Sequence, residues 1–316
     1  VSILPPLLIF NTYSIFKIGI NLEAKCTYKN IMLCLAVSMF LLAAYFSGNL
    51  LNAISTIIPL SFVLGIFLNE VRIKKNITEK ILGFNICNLS QDEIIENVFK
   101  DMRENKNNII FNINPLIMVN FYKNKKIVRE FNKEKYQIPD GIGTIISSKM
   151  KDGSLNKRIT GIDIFESICK KAASENKKIF LYGGKEGIAE KTKKNLLKKY
   201  PELKIVGTLN GYINEKVALK EILKAKPDIL FVALGSPKQE LFIINNKNKL
   251  KSIKLMMPVG GTFDVLSGSI KRAPKLFVKC NLEWVYRMIK EPKRIIRNFN
   301  IIKFIMLVIF KNNCYN

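Results

Sequence analysis

The sequence predicts an α/β protein: a doubly wound, Rossmann-like parallel sheet with helices on both faces. An N-terminal transmembrane helical segment and a basic C-terminal helical appendage flank it. Three observations predict this. From about Ile81, strand-like and helix-like stretches alternate, as in a parallel sheet whose crossovers are helices. Four glycine-marked turns fall where strands end, and ligands of such sheets bind at the carboxyl ends of the strands, at a topological switch point. The two ends of the chain break this pattern, one by hydropathy and the other by charge.

The elements follow in order. Short β-prone runs give strands, and longer stretches with charges between apolar positions give helices. KNNIIFNI (106–113) reads as a strand and residues 116–132 as a helix. FESICKKAASE (165–175) is helical, KKIFLYG (177–183) a strand and EGIAEKTKKNLLKKY (186–200) a helix. LKIVGT (203–208) is a strand, EKVALKEILKA (215–225) a helix and DILFVALG (228–235) a strand. PKQELFIINNK (237–247) is a helix and IKLMMPVG (253–260) a strand. The α/β domain so defined spans 81–270.

Residues 1–75 form an apolar segment ahead of it. The runs 31–46 (IMLCLAVSMFLLAAYF) and 53–68 (AISTIIPLSFVLGIFL) carry no charge, with Ser47, Gly48, Asn49 and Asn52 between them. Each is slightly short of the roughly 20 residues of a spanning helix, and extending the first through Leu51 repairs its length. Lys17, Lys25 and Lys29 precede the pair, and Arg72, Lys74 and Lys75 follow it, which places both flanks of a transmembrane hairpin in the cytoplasm. A buried helical hairpin is the alternative. Two runs without a good cleavage site fit a removed signal peptide poorly.

Residues 271–316 form the appendage. Lys271, Arg272, Lys275, Lys279, Arg287, Lys290, Lys293, Arg294 and Arg297 alternate there with Phe277, Trp284, Tyr286 and Phe299. That mixture suits a membrane surface, and alone it suits nucleic acid as well. The apolar end IIKFIMLVIF (301–310), too short to span, favours an anionic membrane over nucleic acid. A helix packed on the core is the remaining reading.

Lys and Arg total 51 against 25 acids, a formal charge of +26. This points to an anionic partner, or to a compositional bias toward lysine. The chain has no histidine, which removes histidine metal sites, Ser-His-Asp triads and imidazole acid-base catalysis. Its six cysteines are scattered, without a CxxC pair, and read as reduced.

The candidate chemistry lies at the four turns. Pro139-Asp140-Gly141-Ile142-Gly143 puts a carboxylate where no Cβ blocks a ligand's approach. Gly183-Gly184-Lys185-Glu186-Gly187 is a strand-to-helix turn whose free N–H groups favour phosphate. Gly235-Ser236-Pro237 releases a strand and sets Lys238, Gln239 and Glu240 at a helix head, where they can hold a base, ribose or sugar. Gly260-Gly261-Thr262-Phe263-Asp264 is the fourth. An ordinary turn or cap is the alternative reading at the first three. No D-x-D occurs, so no metal or cofactor is expected, and a diphosphate would be met by Arg, Lys and backbone amides.

With these motifs in order, the chain resembles the WecG/TagA/CpsF family of bacterial glycosyltransferases. The marks are IPDGIG (138–143), RITGID (158–163), FLYGGKEGIAEK (180–191), PDILFVALGSPKQE (227–240) and VGGTFDVLSGSIKRAP followed by LEWVYRMIKEPKR. The resemblance implies an inverting, metal-independent transfer of an N-acetylmannosamine-type sugar from a UDP donor. The implied acceptor is N-acetylglucosamine on undecaprenyl diphosphate, in cell-surface polymer synthesis. It implies Asp140 as general base, Arg158 as partner of diphosphate or acceptor, and Gln239 at the donor nucleotide. Gly141, Gly183, Gly184, Gly235, Lys238 and Gly261 are then substrate-binding positions. Asn114 matches the family's Thr-x-Asn, whereas Asn112 replaces its threonine, which bears on the sugar preference. Arg287, Arg294 and Arg297 fall in the family's basic appendage, which binds the membrane and completes the site. The family is usually peripheral and self-associating.

Two other classes stay open on residues alone. A membrane-anchored nucleotide-binding oxidoreductase is disfavoured by the missing GxGxxG and by the absence of a ribose-binding acid near Val206. A non-enzymatic basic module would need none of the four turns.

Overall fold

A computed structural model of the chain describes residues 78–150, 153–155, 157–274, 277, 283, 286 and 303–309. The apolar segment 1–75, with its expected transmembrane hairpin, lies outside these residues, as do Arg287, Arg294 and Arg297. The described chain opens with β1 (Thr78–Ile81) and β2 (Phe84–Cys87), an antiparallel hairpin. A capping box starts α1 (Gln91–Arg103): Ser90 Oγ accepts from the Glu93 N–H and the Glu93 carboxylate accepts from the Ser90 N–H. Then come β3 (Asn108–Ile113), α2 (Pro115–Phe121), α3 (Lys125–Asn132), β4 (Tyr136–Pro139) and α4 (Ile142–Lys149). The second half runs α5 (Gly161–Ser174), β5 (Lys178–Gly183), α6 (Ile188–Lys199), β6 (Lys204–Leu209), α7 (Glu215–Ala225) and β7 (Ile229–Ala233). It ends with α8 (Lys238–Asn246), β8 (Leu255–Pro258) and α9 (Thr262–Leu266).

Six strands form one sheet in the order β4-β3-β8-β7-β5-β6, and every pair is parallel. The chain winds outward from β3 to β4, crosses to β5, winds outward to β6, and returns to fill the middle with β7 and β8. This is the doubly wound α/β arrangement expected from the sequence.

Strand alternation produces two cores. Ile229 and Phe231 of β7 face one side with Phe165 and Ile168 of α5, Leu196 of α6 and Phe99 of α1. Leu230 and Val232 face the other with Phe242 and Ile243 of α8, Ile222 of α7 and Phe131 of α3. All five β7 residues are buried, so the strand reads as an unbroken apolar run. Each such side chain contributes about 1.5–3 kcal/mol of burial, and helices on both faces follow from it.

Some elements depart from expectation. The single helix at 116–132 is two helices, because Asn124 accepts the Ile127 N–H at 3.1 Å and so caps a new start. The β1–β2 hairpin is not visible as a pattern because each strand has only four residues.

The appendage contributes helical residues Phe277, Glu283, Tyr286 and 303–309. Phe304 and Val308 are buried in the first core, while Ile305, Met306 and Ile309 stay exposed. Among the described residues, no helix is long and apolar enough to cross a membrane.

Candidate active site

A parallel sheet sends every strand's carboxyl end to one edge, so all four glycine turns and Asp140 share that edge. Gly183, Gly235 and Gly260 follow the adjacent strands β5, β7 and β8, while Asn114 and Asp140 follow β3 and β4.

Asp140 is half-buried and its backbone is fixed. Its N–H donates to the Ile113 carbonyl at 3.0 Å, and its carbonyl accepts from Thr144 Oγ1 at 3.1 Å. Gly141 then turns at φ +79°, a conformation that suits glycine, and a Cβ there would meet Asn114 Cβ at 3.8 Å. Asn114 itself is the N-cap of α2, its Oδ1 accepting from the Ile117 N–H at 3.1 Å. Asn112 donates from Nδ2 to the Pro258 carbonyl at 3.1 Å, across to β8. Its Oδ1 is buried and has no hydrogen-bond partner among the described residues.

Arg158 reaches the same corner from another loop. The Ile159 N–H donates to the Pro139 carbonyl at 2.9 Å, which sets the neighbours of Arg158 and Asp140 side by side. The guanidinium donates from Nη2 to Glu283 at 3.2 Å. A second link joins the same region to the chain beyond α9: Arg272 Nη2 reaches Asp163 Oδ1 at 2.6 Å, and Asp163 lies in the first turn of α5.

The other three turns are bound largely to one another. Gly183 has φ +126°, and a Cβ there would lie 2.3 Å from the Ala233 carbonyl oxygen. The Gly184 N–H donates to that same carbonyl at 2.9 Å. So these two glycines join β5 to β7, and the Gly184 amide is already used, contrary to its expected freedom for phosphate. Gly235 is exposed at φ +76° with open space around it, so conformation alone asks for glycine there.

Lys238, Gln239 and Glu240 do not face outward together. Lys238 is exposed, whereas Gln239 and Glu240 are buried. Gln239 Oε1 accepts the Gly260 N–H at 3.0 Å, and Gln239 Nε2 donates to Glu240 Oε1 at 2.7 Å. The side chain is a strut between the β7 and β8 turns, and these two contacts use one of its two amide hydrogens. Burial pushes the Glu240 carboxyl up from its ordinary range, against the pull of Gln239. Gly261 precedes α9, and a Cβ there would stand 3.7 Å from Asp264 Oδ2.

Sequence reasoning missed two residues here. Tyr212 is 77% exposed in the loop after β6. That loop is tied to the glycine turn by the Gly211 N–H donating to the Gly184 carbonyl at 2.8 Å. The signal was a Gly-Tyr pair just past a strand. Glu283 was hidden because its partner lies 125 residues away.

Among the described residues, no group of three or more cysteines and acids is placed to hold a metal ion. A groove of about 370 Å³ at the opposite edge, lined by Asn107, Glu134 and Lys247, contains none of the candidate residues.

The family model for the glycosyl transferase WecG/TagA/CpsF family matches residues 79–314. The chain belongs to this family. It is therefore a glycosyltransferase, and the sequence motifs that suggested the family all fall at one sheet edge or in the appendage. A Bacillus subtilis member is 36% identical over 202 residues, covering 64% of this chain and 78% of its own length. A Bacillus spizizenii member is 33% identical over 207 residues, covering 65% and 80%. One from Staphylococcus aureus is 33% identical over 219 residues, covering 68% and 85%. All three carry the name N-acetylglucosaminyldiphosphoundecaprenol N-acetyl-beta-D-mannosaminyltransferase.

Proposed function

We propose that this enzyme moves an N-acetylmannosamine-type sugar from a UDP donor to N-acetylglucosamine on a polyprenyl diphosphate, with inversion and without a metal. One observation carries the reading. The half-buried Asp140 is fixed at the carboxyl edge beside Asn114 and the Arg158 loop, on the same edge as the glycine turns. A carboxylate placed there takes the proton from the acceptor hydroxyl while that oxygen bonds to the sugar's anomeric carbon. The bond from that carbon to the donor diphosphate breaks, and UDP leaves with the electron pair. Arg158, Arg287, Arg294 and Arg297 offset the diphosphate charge.

The donor lies across the β5, β7 and β8 turns. Tyr212 gives an exposed aromatic face for its base, and the remaining amide hydrogen of Gln239 meets the nucleotide. The orphaned Asn112 Oδ1 accepts from a sugar hydroxyl. The names of the relatives support the acceptor and the sugar class.

The chain works at the cytoplasmic face of the membrane, in three parts: the apolar segment 1–75, the catalytic domain 81–270 and the appendage 271–316. Support comes from the exposed Ile305, Met306 and Ile309, whose helix is anchored by buried Phe304 and Val308. Ile146 and Met150, in and just after α4, add exposed apolar surface, and Lys149 and Lys303 are exposed beside them in sequence.

The test is a donor screen against a short-chain lipid-diphosphate N-acetylglucosamine acceptor, read by mass. A product heavier by one N-acetylhexosamine with the UDP-N-acetylmannosamine donor, formed in the presence of a chelator, supports the reading. Product from another donor class, or only with added divalent cation, overturns it.

A further inference from the structure

We infer that Glu283 is the positioning residue for Arg158: the appendage lends the site a carboxylate that aims the guanidinium at the donor diphosphate. The inference rests on the proposed role of Arg158. Four observations carry it.

The pair is close and shielded, at 3.2 Å with side chains only 11% and 10% exposed. Desolvation offsets much of the attraction in such a shielded pair, so net stability alone does not account for the contact. The carboxylate also sits in an unfavourable place for a random acid. Between Lys271 and Lys303 the chain has ten lysines and arginines, and its acids are Glu283 and Glu291 alone. A segment that serves only as a cationic surface has no use for a buried carboxylate.

The geometry gives the contact a function. Arg158 lies in the loop that is bonded to β4 through Ile159 and Pro139, one residue before Asp140. The loop fixes its backbone, but a long side chain on a fixed backbone still has several rotatable bonds. Glu283 holds one Nη of the fork, and the guanidinium offers five donors in a rigid plane. The rest can therefore meet phosphate oxygens in one orientation. The carboxylate comes from the appendage, 125 residues further along the chain, so the contact ties two distant segments at the guanidinium.

The experiment uses the full chain in liposomes and compares Glu283→Ala, Glu283→Gln and Glu283→Asp with the parent. The expected result is that Glu283→Ala lowers kcat about 100-fold, as for a misplaced reacting group, with donor KM changed by less than about threefold. Glu283→Asp, which keeps the charge on a shorter stem, recovers at least about tenfold of the loss. Liposome binding and Tm of Glu283→Gln stay near the parent values, which separates positioning from a merely structural role.

Pyrophosphate carries the charge of the leaving group rather than that of the intact donor; its binding by calorimetry needs no sugar donor, and Glu283→Gln should weaken it about tenfold. If the parent is inactive with every donor, the proposed function fails, while the pyrophosphate comparison still judges Glu283. Unchanged kcat and pyrophosphate affinity in both Glu283→Ala and Glu283→Gln overturn the inference. A rise in kcat overturns it as well, because Glu283 would then be blocking Arg158. Where Glu283→Ala fails to fold, Glu283→Gln decides.

Discussion

The two halves of the carboxyl edge are built differently. Around β5, β7 and β8 the contacts are short and mostly made by backbone: Gly184 on Ala233, Gly211 on Gly184, and Gly260 on the Gln239 side chain. Around β3 and β4, the segments that carry Arg158 and Glu283 are brought together from 125 residues apart. The first half is a cradle whose turns are tied to one another by hydrogen bonds within the protein. The second is built from segments distant in the chain, and one of its side chains, Glu283, belongs to the appendage. On the proposed function this difference is a division of labour, with the nucleotide on the cradle and the proton transfer at the corner.

The largest expected effect breaks the corner and spares the cradle. Asp140→Asn removes the proposed base while keeping the side chain's shape, so kcat should fall about 10²–10⁴-fold. UDP affinity by calorimetry and Tm should not move. Full activity in this variant would remove Asp140 from the mechanism, and lost UDP binding would show that the two halves are not separable.

The reverse break comes next. Gly183→Ala places a Cβ 2.3 Å from the Ala233 carbonyl at φ +126°, and should cost about 3 kcal/mol in urea unfolding. Gly235→Ala meets nothing within 4 Å, and its φ of +76° should cost about 1 kcal/mol. Equal costs at the two positions would mean that the turn at Gly183 can relax, and that the cradle is not rigid.

The same contrast explains what the sequence made legible. The cradle could be read because each part is contiguous. The helix expected at 215–225 is α7 with those bounds, and the strand expected at 228–235 is β7 at Ile229–Ala233. What failed there was direction, not location. Gln239 and Glu240 turn inward because the helix begins at Lys238, and its phase places the next two residues on the sheet. The corner could be read only in pieces. Asp140 and Arg158 stood out by motif, but no local pattern links position 158 to position 283. The strand β4 and the helix α4 around Asp140 are short, at four and eight residues, and periodicity is weak over such lengths.

A smaller effect should separate binding from recognition. Asn112 bridges the two halves, with Nδ2 on the Pro258 carbonyl of β8 and Oδ1 buried without a partner among the described residues. Asn112→Thr restores the residue type of the family motif. It should change the ratio of kcat/KM between two N-acetylhexosamine donors about tenfold, since a site built to hydrogen-bond a hydroxyl discriminates by that contact. An unchanged ratio would make Asn112 a structural tie between β3 and β8.

The smallest effect lies beneath the cradle. Glu240 is buried, and burial raises its proton affinity in the folded state above that in the unfolded chain. The folded protein then holds this proton more tightly, so the contribution to stability is intact below the ordinary carboxylate range. It is lost as pH rises through the elevated folded value. Glu240→Gln keeps an oxygen for the Gln239 amide and removes the titration. Its Tm should match the parent at low pH and exceed it by a margin that widens toward neutral pH. A margin independent of pH would mean that Glu240 does not titrate differently on folding. A margin of opposite sign would mean that the ionised carboxylate stabilises the strut between the two turns, and that the rigidity of the cradle depends on a buried charge rather than on shape.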